Sequence, residues 1–322
     1  MTLLCIAMQD AAMEIAKTRQ PNHALGALQL CAGMLIIPFL DVFAKLLGVT
    51  HGPFEITFWR FFMQTVLMLP FVMVLRLWSI PAGTLVLQAV RGLLLASATV
   101  FFFAALQHLP MAEAIAIFFA QPIILTLLSA VLLGERLRAR RISAILVGLA
   151  GTIIIVQPSV LIFGWAAVLP LGSALSMALY MVLTRRLADD VNPYQMQFLG
   201  SVAAMAALGA VVLVGSLLSI PGATMSALTW QETGWVIGMG IAATLGHAFI
   251  VLAAGKAPAN LLAPFQYVEI IGATILGYLV FGDIPANSTV LGVGIIIASG
   301  LYLFHRERIA TRKQVAGRQV GR

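Results

Sequence analysis

The chain has 322 residues, 61% of them hydrophobic and 10% charged, with a formal net charge of +7. A soluble domain carries about 25% charge, so the composition excludes a water-soluble enzyme and indicates an all-α polytopic membrane protein. Cys5 and Cys31 are the only cysteines, too few for a disulfide framework or a cysteine metal site.

Residues 1–24 hold Asp10, Glu14, Lys17 and Arg19 and lack a small-residue cleavage site. They read as a cytoplasmic N-terminal segment, not a secretory signal. Ten apolar spans follow: Leu25–Leu47, Phe54–Leu75, Thr84–Leu106, Met111–Leu133, Ile142–Val156, Trp165–Leu187, Tyr194–Leu217, Gly234–Ala254, Ala259–Phe281 and Thr289–Phe304. Short joints with turn formers separate them, such as Gly52-Pro53 and Pro221-Gly222. A basic tail, 306–322, closes the chain.

Charge sets the orientation. Lys45, Arg60 and Arg91 fall inside spans, and the remaining sixteen Lys and Arg all fall on one side. The positive-inside rule then puts both termini in the cytoplasm, in an inner membrane. An arginine-rich tail beside a helix end suits anionic lipid, so nucleic acid is not an expected partner.

The order of segments repeats. The fourth span ends in Leu133-Gly134-Glu135 and the ninth in Phe281-Gly282-Asp283, an offset of 148 residues that sets Gln121 opposite Glu269. Asp41 falls loosely opposite Tyr180. Five crossings per half make the halves inverted, 25–158 and 159–305, with substrate expected between them near midplane.

Glu269 lies near the middle of the ninth span, five residues after Pro264. A carboxylate at that depth costs at least ~2.5 kcal/mol, so it must face a cavity, a partner or a proton. With the neighbouring Gln266 and Tyr267 it reads as one wall of a transport site. Gln121 stands at the equivalent point of the first half.

The run Met111 to Pro158, with AEAIAIFFAQP and LLGERL, resembles the first domain of EamA-type carriers in the drug/metabolite transporter superfamily. Gly246 to Pro285, with LLAPFQYVEIIGATILGYLVFGDIP, resembles the second. The stretches LDVFAKLL and FEITFWRFF are similar to the branch that includes S-adenosylmethionine and riboflavin uptake carriers. The resemblance implies ten helices in two inverted five-helix repeats around a central cavity, and a small metabolite as cargo.

Other candidates weigh substrate contact against packing. Asp41 and Lys45 lie one turn apart and can pair. Arg60 and Arg91 need an anionic partner in Glu55, a lipid phosphate or the substrate. His247 is helix-bonded filler, a proton relay or a substrate contact. Trp59 and the phenylalanines of spans two to four pack or face lipid, and some offer flat faces to a heterocycle. Small residues at four-residue steps, among them Gly148 and Gly294, read as helix contacts.

The reading is a secondary carrier by alternating access, with uptake of a heteroaromatic metabolite or vitamin expected. Export of amino acids or amphipaths is the alternative, and an intramembrane enzyme a third class. No HExxH pattern or phosphate-binding GxxxxGK loop occurs. Expected partners are the small-molecule substrate, the bilayer and a proton or ion, with a homodimer left open. No cofactor or metal is expected.

Overall fold

A computed structural model of the chain describes residues 23–78, 83–133, 139–187, 191–254, 256, 262–299 and 301–302. The N-terminal segment up to residue 22, Gly134, Glu135 and the basic tail lie outside these residues. Among the described residues the chain is helical, with no strand. In chain order the helices are α1 His23–Leu47, α2 Pro53–Val74, α3 Leu85–Leu106, α4 Met111–Phe118, α5 Gln121–Leu133 and α6 Ala139–Phe163. A 3-10 turn, Gly164–Val168, leads to α7 Leu169–Leu187, α8 Pro193–Leu217 and α9 Trp230–Ala254. A second 3-10 segment, Ala263–Tyr267, runs into α10 Val268–Phe281, and α11 is Asn287–Ser299.

Six apolar stretches among the described residues are long enough to cross a bilayer. One of them, Leu146–Thr184, runs through α6, the turn and α7. Large apolar side chains face outward around the molecule: Val86 is 73% exposed and Leu161 82%. Such a surface is stable only against lipid. The fold is that of a multi-pass membrane protein.

Local chemistry sets the helix ends. Pro53 and Pro193 open α2 and α8, where their missing N–H costs nothing, and the Asn192 side chain accepts the Tyr194 N–H at 2.9 Å. Thr229 and Glu232 cap α9 reciprocally. The Glu232 N–H donates to Thr229 Oγ1 at 3.2 Å, and the Thr229 N–H to Glu232 Oε2 at 2.8 Å. At the end of α10, Gly282 adopts φ +71°, and the Asp283 N–H returns to the Gly277 carbonyl at 3.1 Å.

Some expected spans differ. The fifth does not stop at Val156: α6 continues through Pro158 to Phe163. In lipid a helix keeps its own backbone bonds across a proline where a watery chain would turn. The fourth is not continuous; it breaks at Phe119–Ala120, just before Gln121. Pro122 explains the break, because it has no N–H for the carbonyl of Phe118.

Helix pairing follows a pattern that survives exchange of the two halves. Helix α1 packs on α9 and α3 on α7; α3 also packs on α8 and α2 on α9. Helix α10 lies on α1 as α5 lies on α7, while α2 meets α8 and α4 meets α10. Where α3 crosses α8, a Cβ on Gly92 would sit 2.6 Å from the Gly200 carbonyl oxygen. Gly92→Val should therefore lower stability by roughly 2 kcal/mol, read as earlier thermal aggregation in detergent. Gly148 packs on Ile123 as expected, whereas Gly294 meets no atom within 4 Å among the described residues.

Candidate functional site

A cavity of about 450 Å³ lies between the halves. It is walled by α1, α2, α3 and α7 to α9, and by both breaks, at Phe118–Gln121 and Gln266–Glu269. The sequence pair Gln121 and Glu269 thus reaches one cavity, each just after an irregular stretch, where α-helix begins. Pro264, inside the 3-10 segment, accounts for the second break as Pro122 does for the first. At the crossing, the rings of Phe119 and Tyr267 lie 5.2 Å apart, centroid to centroid. Their numbers differ by the same 148 residues.

Eight of the sequence candidates line this cavity: Asp41, Arg60, Arg91, Gln121, Tyr180, His247, Gln266 and Glu269. Two do not. Tyr267 turns its ring to Phe119, and Trp59 packs edge-on against Phe58 and Phe62.

The two arginines differ in what holds them. Arg91 donates to Thr184 Oγ1 at 2.8 Å, the Met196 carbonyl at 2.7 Å, the Tyr180 hydroxyl at 2.9 Å and Gln88 Oε1 at 3.4 Å. Its guanidinium also lies over the Tyr180 ring. Those contacts tie α3 to α7 and α8, so its donors are largely committed. Arg60 donates to Thr99 Oγ1 and stacks over Phe61, while its buried Nε has no hydrogen-bond partner. It can still receive an anion.

Asp41 is buried at 3% exposure and its Oδ2 has no hydrogen-bond partner. It lies within electrostatic reach of Arg60 and Glu269. The expected pairing with Lys45 does not form. Lys45 instead binds Asp283 Oδ2 at 2.6 Å and the Leu109 carbonyl at 3.2 Å, and Asp283 accepts the Met111 N–H at 3.3 Å. Glu55 is not the partner of Arg60 either, since it accepts from Ser226 and contacts His51. His247 Nδ1 lies 2.8 Å from the Ala243 carbonyl, so its Nε2 is the atom left for the cavity.

The walls are otherwise aromatic and thioether-rich: Phe102, Phe103, Phe118 and Phe119, with Met34, Met177, Met181 and Met196. Flat rings and polarizable sulfurs suit a planar heterocycle. Sequence reasoning missed Thr99, Ser173, Thr184 and Gln197, which also line the cavity. Small polar residues in apolar helices are the only signal they give, and helix–helix bonds give the same one.

The cavity is asymmetric along the helices. It runs from Asp41, Phe103 and Ser173 toward Arg91, Thr184 and Val251. Beyond Asp41, where α1 ends, Leu47, Ile56, Leu106, Leu109 and Met111 fill the space at 0–1% exposure. A multi-pass helical protein with a polar-spotted cavity sealed at one end is built as a membrane transporter. The model of the EamA-like transporter family matches residues 24–157 and again 164–304, and the chain belongs to that family.

The S-adenosylmethionine uptake transporter of Rickettsia bellii is 25% identical over 301 residues, 91% of this chain and all of that one. The riboflavin transporter of Rhizobium johnstonii is 26% identical, covering 91% of this chain and 96% of the relative. The pseudopaline exporter of Pseudomonas aeruginosa is 29% identical over 66% of this chain and 73% of its own. A crystal structure at 20% identity superposes with TM-score 0.61 over 88% of this chain and 98% of the other, a likeness in fold.

Proposed function

We propose that the chain is a secondary carrier of the inner membrane that takes up a small heteroaromatic metabolite by alternating access, coupled to a proton or ion. The observation that carries the reading is the composition of this cavity. Aromatic and methionine walls surround two acids, Asp41 and Glu269, with Arg60 within electrostatic reach of Asp41. The relatives that carry S-adenosylmethionine or riboflavin support a heterocyclic cargo. Paired acids opposite one available arginine favour a substrate with a cationic group and an anionic one over a neutral ring system. Export is the second reading, favoured by the pseudopaline relative.

The halves, 25–158 and 159–305, are proposed to be inverted five-crossing repeats of ten crossings in all. Packing that is preserved when the halves are exchanged supports this. Both termini then lie in the cytoplasm. A reporter fused after Leu47 or after Gly164 should report outside, and one after Arg141 inside; a cytoplasmic signal after Gly164 contradicts the scheme. Substrate is tested by growth of an S-adenosylmethionine auxotroph, and separately a riboflavin auxotroph, expressing the chain. Rescue of one at limiting supply supports uptake. Failure of both, with efflux from preloaded cells, supports export.

A further inference from the structure

At the sealed end, outside the cavity, lies a second cluster of titratable groups. His51, in the loop between α1 and α2, is 6% exposed, and Glu55 in the first turn of α2 is fully buried. His51 Nδ1 lies 3.1 Å from Glu55 Oε2, and His51 Nε2 lies 3.1 Å from Glu232 Oε1 on α9. The second contact is an ion pair off the line of a hydrogen bond. Glu55 and His51 belong to the first half, Glu232 to the second.

Everything around the ring is fixed. Glu232 spends Oε2 on the Thr229 cap and presents Oε1 to Thr50 Oγ1 at 2.7 Å as well as to His51. Ser226 of the second half donates its N–H to Glu55 Oε1 at 2.9 Å, and its hydroxyl lies 3.0 Å from Glu55 Oε2 and 3.2 Å from His51 Nδ1. Gln107, after α3, donates to the His51 carbonyl at 3.0 Å. The adjoining loops touch closely: a Cβ on Gly52 would lie 2.2 Å from the Gly222 carbonyl oxygen. Among the described residues the other charged groups at this end are Lys45 and Asp283, paired with each other, and buried Glu113 of α4, which accepts from Ser159 Oγ at 3.4 Å; His108 packs edge-on to Trp165.

A neutral imidazole has one N–H and can donate to one carboxylate; the imidazolium has two and serves both. The charged ring thus adds its own tie between the halves across the sealed end, beside the Thr50–Glu232 and Ser226–Glu55 hydrogen bonds. Loss of the proton turns a lone pair toward a carboxylate, and one of the two links becomes repulsive. We propose that His51, Glu55 and Glu232 form a proton-binding site separate from the substrate cavity, which latches this end of the carrier shut while His51 is protonated. The site depends on neither the identity of the cargo nor the direction of transport.

The test reads access to the cavity by cysteine labelling in a background with Cys5→Ser and Cys31→Ser. Met177→Cys on the cavity wall is the reporter. Val49→Cys, 83% exposed beside the cluster, is the reference that marks the latch face and corrects for thiolate chemistry. A membrane-impermeant methanethiosulfonate is applied from the face at which Val49→Cys reacts. The ratio of reporter to reference rate should rise roughly fivefold between about pH 6 and about pH 9. His51→Gln should hold the ratio high and flat with pH, and Glu232→Gln should raise it at every pH. A ratio independent of pH in the parent overturns the proposal, as does a parental pH profile that persists in His51→Gln. Should His51→Gln fail to reach the membrane, the parental titration and Glu232→Gln decide alone.

Discussion

Glu269→Gln is expected to abolish gradient-driven accumulation of substrate while leaving counterflow exchange of preloaded substrate. Glu269 faces the cavity at the start of α10, where the 3-10 segment Ala263–Tyr267 gives way to α-helix. The equivalent point of the first half carries Gln121, a neutral amide at the start of α5. One break therefore offers a titratable group and the other does not. In alternating access a cavity carboxyl meets water on one side and then on the other, and it can take a proton from one and release it to the other. Glutamine keeps the size and hydrogen bonding but carries no proton. Accumulation should fall from roughly tenfold or more to equilibrium, while exchange, which needs no net proton movement, continues. Unchanged accumulation across about pH 5.5 to about pH 8 would make Glu269 a structural acid.

The second large effect separates the two arginines. Arg60 retains an Nε without a hydrogen-bond partner at the cavity, so Arg60→Gln removes the less committed of the two arginines from the place where an anionic group would dock. A hydrogen bond to a charged group contributes ~1.5–3 kcal/mol, equivalent to about 10- to 100-fold in affinity. KM should rise by that order with the amount of folded carrier unchanged. Arg91→Gln acts differently. It removes the donor to the Met196 carbonyl and the Tyr180 hydroxyl in a buried seam between α3, α7 and α8, while Thr184 keeps its bond to the Tyr180 carbonyl. Each buried group left without its partner costs ~1–3 kcal/mol, so the loss should appear as reduced thermal stability in detergent. If Arg91→Gln raises KM and Arg60→Gln does not, the two roles are exchanged.

These assignments show what the sequence made legible. Glu269 stands out because a single acid interrupts a long apolar run, and lipid tolerates such an acid only at a cavity or partner. The repeat offset told where its counterpart lies, and Gln121 does reach the same cavity. The break before Gln121 was harder to read. The apolar pattern runs unbroken from Met111 to Leu133, and Pro122 alone marks the missing backbone bond. Four residues make one helical turn, so the local sequence pairs Lys45 with Asp41. Its actual partner, Asp283, is 238 residues away, held in reach by the left-handed Gly282 that ends α10. Likewise nothing local couples His51 to Glu232. Their meeting depends on α1 and α9 packing side by side, which is a property of the assembled halves.

The central claim is that this cavity accumulates a small heteroaromatic metabolite without consuming ATP. Purified carrier in liposomes, with a proton gradient imposed and no nucleotide present, puts it to the test with radiolabelled S-adenosylmethionine and riboflavin in parallel. The account predicts accumulation of one of them above its external concentration, collapse on addition of a protonophore, and absence of that accumulation in Glu269→Gln. Equilibration at the external concentration for both compounds, unaffected by the gradient, would contradict it.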